Sequence, residues 1–378
     1  MEVARSGMFN PGLFTFHEVM MLYLGVMFAN IILLDLYNSW GLPTSTTVSL
    51  IFCLLGSAIA VSIYKIAGDP AQGVSSLGQY INTSRAMGIV SAILLSVVIA
   101  FTCGTVVMYI SRVIFSFRYT ALFSRYGAIW CGASLTAIIY FAVFKGLKTV
   151  LAGHDFIQTV DRHLAAAVLI CWTACSVLLY VIQRFRINIL RITILSGTFA
   201  LALAFAGNDL VNFIRVPMAS YDALQIARDA GSESIMMDGL AHPARANFLI
   251  LLASGLIMVL TLFFSKKSRH VAETELSLAS QHEESERFGS TYVSRSLVRA
   301  TLLLNNLWSG MIPARVQKAI DRRFEPLPAE ERTTAQYDMI RAVVNLTAAS
   351  ILIAIGTSYK LPLSTTYVVF MVAMGSSQ

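Results

Sequence analysis

Residues 42–47 read Leu42-Pro43-Thr44-Ser45-Thr46-Thr47, and residues 361–366 read Leu361-Pro362-Leu363-Ser364-Thr365-Thr366. In the same register, Gly56-Ser57 recurs as Gly375-Ser376, so that seven of the 16 aligned positions from Leu42 to Ser57 are identical. Both copies sit in apolar stretches, where matched polar residues are costly, so chance similarity is a poor explanation. In each copy the proline ends the preceding helix and a serine or threonine caps the next. The expected result is a helix N-terminus with free backbone N–H groups, a positive dipole end and hydroxyl donors. Such a place holds an oxyanion without a fixed cation and can also release it. A single copy would read as ordinary capping and interhelical packing; the repetition favours a binding role.

Outward from these copies, the 378-residue chain is 56% hydrophobic and 13% charged, about half the charge of a soluble domain. So few charges cannot cover a soluble surface. The apolar runs are continuous, whereas barrel strands alternate. The fold class is therefore an all-α polytopic membrane protein. The net charge of +7 is spread over short connections, as the positive-inside bias produces, and no nucleic-acid partner is expected. Cys53, Cys103, Cys131, Cys171 and Cys175 lie in apolar runs without metal-ligand spacing and read as small buried hydrophobes.

A spanning helix needs roughly 20 apolar residues. Charge-free intervals occur at 86–111, 126–144, 164–183, 192–208, 246–265, 342–359 and 361–378, with a shorter run at 19–34 and an interrupted one at 36–64. That gives about eight or nine membrane-embedded segments, some of them re-entrant or broken. Arg112, Arg118 and Arg125 share one side with Arg184, Arg186 and Arg191 and with Lys266, Lys267 and Arg269, and this side is taken as cytoplasmic. The loop 216–246 is net acidic and falls opposite. Residues 266–340 are polar, then amphipathic, and read either as an interfacial segment or as a solvated linker.

Ala206-Gly207-Asn208-Asp209-Leu210-Val211-Asn212 follows the run 192–208. Asn208, Asp209 and Asn212 share roughly one helical face, and an aspartate in a spanning segment is a functional hypothesis by default. Gly207 and Pro217 bracket a place where the helix can unwind. Carboxylate, amide and carbonyl oxygens suit a hard cation such as Na⁺, which makes Asp209 and Asn212 candidate Na⁺ ligands. The bland alternative puts Asp209 at the interface, one turn from the loop.

Asn208-Asp209-x-x-Asn212 in an apolar helix, with two LPxSTT copies, resembles the inorganic phosphate transporter (PiT) family. Members of that family carry two GANDVAN-like and two PxSTT-like motifs in two inverted repeats. The resemblance implies symport of inorganic phosphate with Na⁺ or H⁺ as the coupling ion, with no other cofactor. It places Asn208, Asp209 and Asn212 in the substrate and ion site. It assigns Ser45, Thr46, Thr47, Ser364, Thr365 and Thr366 as phosphate-facing donors and cation-facing oxygens. Arg215-Val216-Pro217 departs from the family's Gly-Pro, and Arg215 is read as marking the membrane boundary. Val48 and Tyr367 stand where the family commonly has histidine. One Asn-Asp-x-x-Asn motif is present. The interval from Asp209 to Ser364, measured back from Ser45, ends well before Met1. The expectation is a portion of a longer transporter; a degenerate first motif at Asn30, Asp35 and Asn38 has the wrong spacing.

The reading is then an inverted-repeat secondary transporter. Residues 1–190 are the remainder of a first repeat, 191–265 the start of a second, 266–340 a cytoplasmic segment and 341–378 the second LPxSTT segment. Transport of sulfate or another tetrahedral oxyanion is the alternative, and a non-transporting sensor or scaffold a more distant one. No enzyme is expected: His154, Asp155, Asp161 and His163 read as solvated loop residues. The expected partners are inorganic phosphate and membrane lipid, with a homo-oligomer left open. The expected location is integral to a bacterial inner (plasma) membrane.

Overall fold

The computed structural model describes residues 3–42, 44–69, 73, 76–116, 119–141, 162–242, 247–269, 299, 338–359, 361 and 363–377. His154, Asp155, Asp161 and most of the segment 266–340 lie outside the described residues. The helices, in chain order, are α1 (Phe16–Ser39), α2 (Thr46–Gly68), α3 (Leu77–Tyr80), α4 (Thr83–Ile114) and α5 (Thr120–Ile138). They continue with α6 (Leu164–Arg184), α7 (Ile189–Ala230), α8 (Phe248–Phe264), α9 (Met339–Ser358) and α10 (Thr365–Ser377). The only strand-like pairing among the described residues is two isolated bridges, Phe9 with Ile81 and Thr15 with Met236. Among the described residues, seven helices (α1, α2, α4, α5, α6, α7 and α9) are long and apolar enough to cross a membrane, and α8 and α10 are shorter apolar helices.

Local chemistry starts these helices where the sequence changes character. Thr15 and Glu18 form a reciprocal capping box at α1, which satisfies two orphan N–H groups. The side chains of Asn82, Asn188, Asn247 and Asp338 cap α4, α7, α8 and α9. At the other end of α7, Gly231 takes the left-handed conformation at φ 67°, which a side chain would disfavour.

Two helical hairpins enter from opposite ends of the molecule. Lys65 near the end of α2 donates to the Leu13 carbonyl at 2.8 Å and to Glu18 at the start of α1 at 2.9 Å. The α1 start and α2 end are therefore adjacent, and the turn at 40–45 points inward. Here residues 3–15 and 231–241 also gather: Phe16 N donates to Ile235 O, Met237 N to Phe14 O, and Asn82 N to Met8 O. Arg5, 5% exposed, pairs with Asp222 and donates to the carbonyls of Leu240 and Gly239. Phe9, Phe14, Tyr23, Met237 and Leu240 fill the core beneath.

At the opposite end, Arg112 closes α4 and is buried with Asp338, the N-cap of α9. Phe115, Ile189, Leu190, Ile340 and Val343 pack together there, so the starts of α7 and α9 meet the end of α4. α9 then runs inward, and α10 comes back along α4, where a Cβ on Gly104 would strike the Val372 backbone and one on Gly375 the Phe101 carbonyl. Close approach of this kind is what small residues permit between membrane helices.

Three sequence expectations change. α7 does not end near 208: its 42 residues run about 63 Å at 1.5 Å per residue, twice the roughly 30 Å hydrocarbon core. The first half of the acidic loop 216–246 is thus helical. The helix also does not unwind at Gly207 or Pro217, but continues through both. Of the cysteines, all free, only Cys131 is buried, and the other four are half-buried.

Candidate functional site

The inward tips of both hairpins meet one side chain of α7. Ser45 and Ser364 are the residues that make this possible. Each hydroxyl oxygen accepts the backbone N–H three residues on, Val48 at 3.1 Å and Tyr367 at 3.0 Å. This starts α2 and α10 at Thr46 and Thr365 and leaves the first N–H groups of both helices without intrahelical partners. Ser45 and Ser364 are 2% and 0% exposed. Their oxygens act as caps.

Thr46 and Thr365 occupy equivalent positions in the two copies and do the same thing. Thr46 Oγ1 donates to Asp209 Oδ1 at 3.2 Å, and Thr365 Oγ1 lies 3.0 Å from both carboxylate oxygens. Asn208 Nδ2 adds a third donor at 3.2 Å. Asp209 is half-buried, and these donors, with two positive helix ends, offset the cost of taking its charge out of water.

The next pair of equivalent positions is used differently. Thr47, 3% exposed, accepts from Asn212 Nδ2 at 2.6 Å. Thr366, its counterpart, is half-buried and makes no side-chain hydrogen bond among the described residues. Asn212 is 2% exposed, and its Oδ1 is buried without a partner among the described residues. All nine residues singled out in the sequence therefore fall on α7 or on the first turns and caps of α2 and α10. Eight take part in the local hydrogen bonding, Thr366 being the exception. Asp209 does not sit one turn from a loop, since α7 continues well past it to Ala230.

Two of the alternative trio have partners elsewhere. Asn30 accepts from Ser49 at 2.5 Å within the α1–α2 hairpin, and Asp35 pairs with Lys267. Arg215 does not mark the end of α7; it lies within the helix, half-buried, with Nε fully buried and unpartnered among the described residues. Sequence reading also missed Asn345, Thr347 and Ser350 on α9, each with a buried unpartnered oxygen. Isolated polar residues in an apolar helix carry no repeat or spacing that would have singled them out.

Chemically, the site combines two kinds of group. Carboxylate, amide and hydroxyl oxygens converge, which suits a hard cation. Free N–H groups at two helix N-termini suit an oxyanion. The carboxylate alone would repel an anion, and a cation held against it would offset that repulsion. No protein-family model and no curated protein match this sequence. Among solved structures, the fold is similar to that of a chain described as "The sodium-dependent phosphate transporter", with a TM-score of 0.59 and 14% sequence identity over 99% of this chain and 74% of that one. At that identity the likeness is one of fold: an all-helical, polytopic membrane architecture found in a transporter.

Proposed function

We propose that this chain carries inorganic phosphate across a membrane together with a coupling cation, Na⁺ or H⁺, as a member of the PiT family, in a bacterial inner (plasma) membrane. One observation carries the reading. Two copies of one motif, near opposite ends of the chain, bring equivalent threonines from opposite hairpins onto a single aspartate. A packing role for either copy would not require them to converge on a charge. The sodium-dependent phosphate transport named for the similar structure points the same way.

In this reading Asp209, Asn208, Asn212 and the threonine oxygens take the cation. The N-termini of α2 and α10 take the phosphate beside it. Each ligand raises the affinity for the other by the same factor. Access alternates as the hairpins move against α7 from opposite ends.

The test is uptake of labelled phosphate by proteoliposomes under an inward Na⁺ or H⁺ gradient. Asp209→Ala is expected to abolish gradient-driven uptake, with the protein still monodisperse in detergent. Near wild-type, gradient-driven uptake by Asp209→Ala would falsify the assignment. Sulfate uptake in place of phosphate would move the substrate class to that oxyanion.

A further inference from the structure

Two buried polar atoms without partners among the described residues lie on consecutive turns of α7 beside the site. One is Asn212 Oδ1, a hydrogen-bond acceptor, and the other is Arg215 Nε, a donor. The amide is held in its orientation by Nδ2, which donates to Thr47, so the oxygen is the end turned away from Thr47. Arg215 follows by three residues, about 4.5 Å along the axis. It makes no hydrogen bond or ion pair among the described residues.

The helix phase places Arg215 toward the protein. Phe213, Pro217 and Tyr221, at four-residue spacing, form the exposed strip of this part of α7, while Asn212, Val216, Ala219 and Ala223 are buried. Arg215 is two residues from both Phe213 and Pro217, roughly 160–200° round the helix from that strip. Helical side chains also lean toward the N-terminus, here toward the turn that carries Asn212. Its Nε, enclosed this way, is costly to leave unpaired, and an anion would satisfy it.

An acceptor and a donor that do not satisfy each other are complementary to a ligand offering both. Protonated phosphate does so through P–OH and P–O⁻. Fully ionised sulfate has no proton to offer, and its oxygen would face the lone pairs of the amide. We propose that Asn212 Oδ1, which has two lone pairs, keeps one for the cation and accepts phosphate P–OH on the other, while the Arg215 guanidinium donates to P–O⁻, and that this pair selects phosphate over sulfate. The inference rests on the phosphate-transport reading and deepens it. A site that pairs with a substrate hydroxyl discriminates strongly against an analogue lacking it, because its own buried group is left unpaired.

The experiment measures labelled phosphate uptake and its inhibition by sulfate in proteoliposomes of wild type, Arg215→Gln, Arg215→Lys and Asn212→Ser. Wild type is expected to ignore sulfate at concentrations far above the KM for phosphate. Arg215→Gln should raise that KM roughly tenfold to hundredfold, move the cation half-saturation much less, and be partly rescued by Arg215→Lys. Asn212→Ser, whose hydroxyl can donate as well as accept, should let sulfate compete. An unchanged KM in Arg215→Gln, or unchanged selectivity in Asn212→Ser, overturns the pair. Should the variants fail to fold, phenylglyoxal labelling of wild type decides. Phosphate protects Arg215 and sulfate does not, and equal labelling in both overturns the proposal. Absence of phosphate uptake by wild type would instead remove the transport reading itself.

Discussion

At the scale of single residues, the two LPxSTT copies divide their hydroxyls by position. The serine caps, and the first threonine reaches Asp209 in both copies. The second threonine meets Asn212 in one copy only. A hydrogen bond to a charged group contributes about 1.5–3 kcal/mol. Thr46→Val and Thr365→Val are each expected to weaken apparent cation affinity about tenfold or more, and serine at either position should restore it. The double variant tests whether the two act as a unit: a combined loss smaller than the product of the singles is expected, because both bind one carboxylate. The hydroxyls were legible because a repeated polar pattern stands out in an apolar run. Their meeting was not, since the partners are 163 and 156 residues apart in the chain. Arg215 was misplaced for the same reason: a lone arginine after an apolar run looks like a boundary until the helix is seen to continue.

At the scale of elements, α7 shows how tertiary packing overrides local signals. Arg215, Pro217, Ser220 and Asp222 in quick succession read as loop. Yet Val216, Ala219, Ala223 and Ala227 share one face, and that face is part of one core with α1 and with residues of the segments 4–14 and 237–240. Burying it keeps the chain helical through a proline. The repeated glycines part company in a similar way. A Cβ on Gly375 would meet the α4 backbone, while one on Gly56 meets nothing within 4 Å. Gly375→Val is therefore expected to separate α10 from α4 and lower the melting midpoint in detergent, with a loss of about 1–3 kcal/mol or more from overpacking. Gly56→Ala should be neutral or slightly stabilising, by up to about 1 kcal/mol. Equal effects at the two positions would show that the close helix contact is not what distinguishes them.

At the scale of the whole molecule, two hairpins from opposite ends place their tips on one long helix, and an ion pair secures each end. Arg5 with Asp222 ties the N-terminal segment to α7, and Arg112 with Asp338 ties α4 to α9. Both side chains of the second pair are almost fully enclosed, at 3% and 2% exposure, and Arg341 lies in the next turn. Asp338→Ala would leave the enclosed Arg112 guanidinium without its carboxylate and remove the α9 cap. A loss of about 3–5 kcal/mol is expected, read as a drop in melting midpoint. Adding Arg112→Ala should recover part of it, and no recovery would mean the cap, not the charge, dominates. The sequence by itself determined the membrane character of the chain, the caps, the internal repeat and the residue types of the candidate site. Those follow from composition and from spacings of a few residues, where local physics decides. Helix packing alone brings both tips to Asp209, carries α7 on through Pro217, and leaves Asn212 and Arg215 each with an atom unpartnered among the described residues. Contacts between residues so distant in the chain depend on how whole helices pack, and no local pattern encodes that.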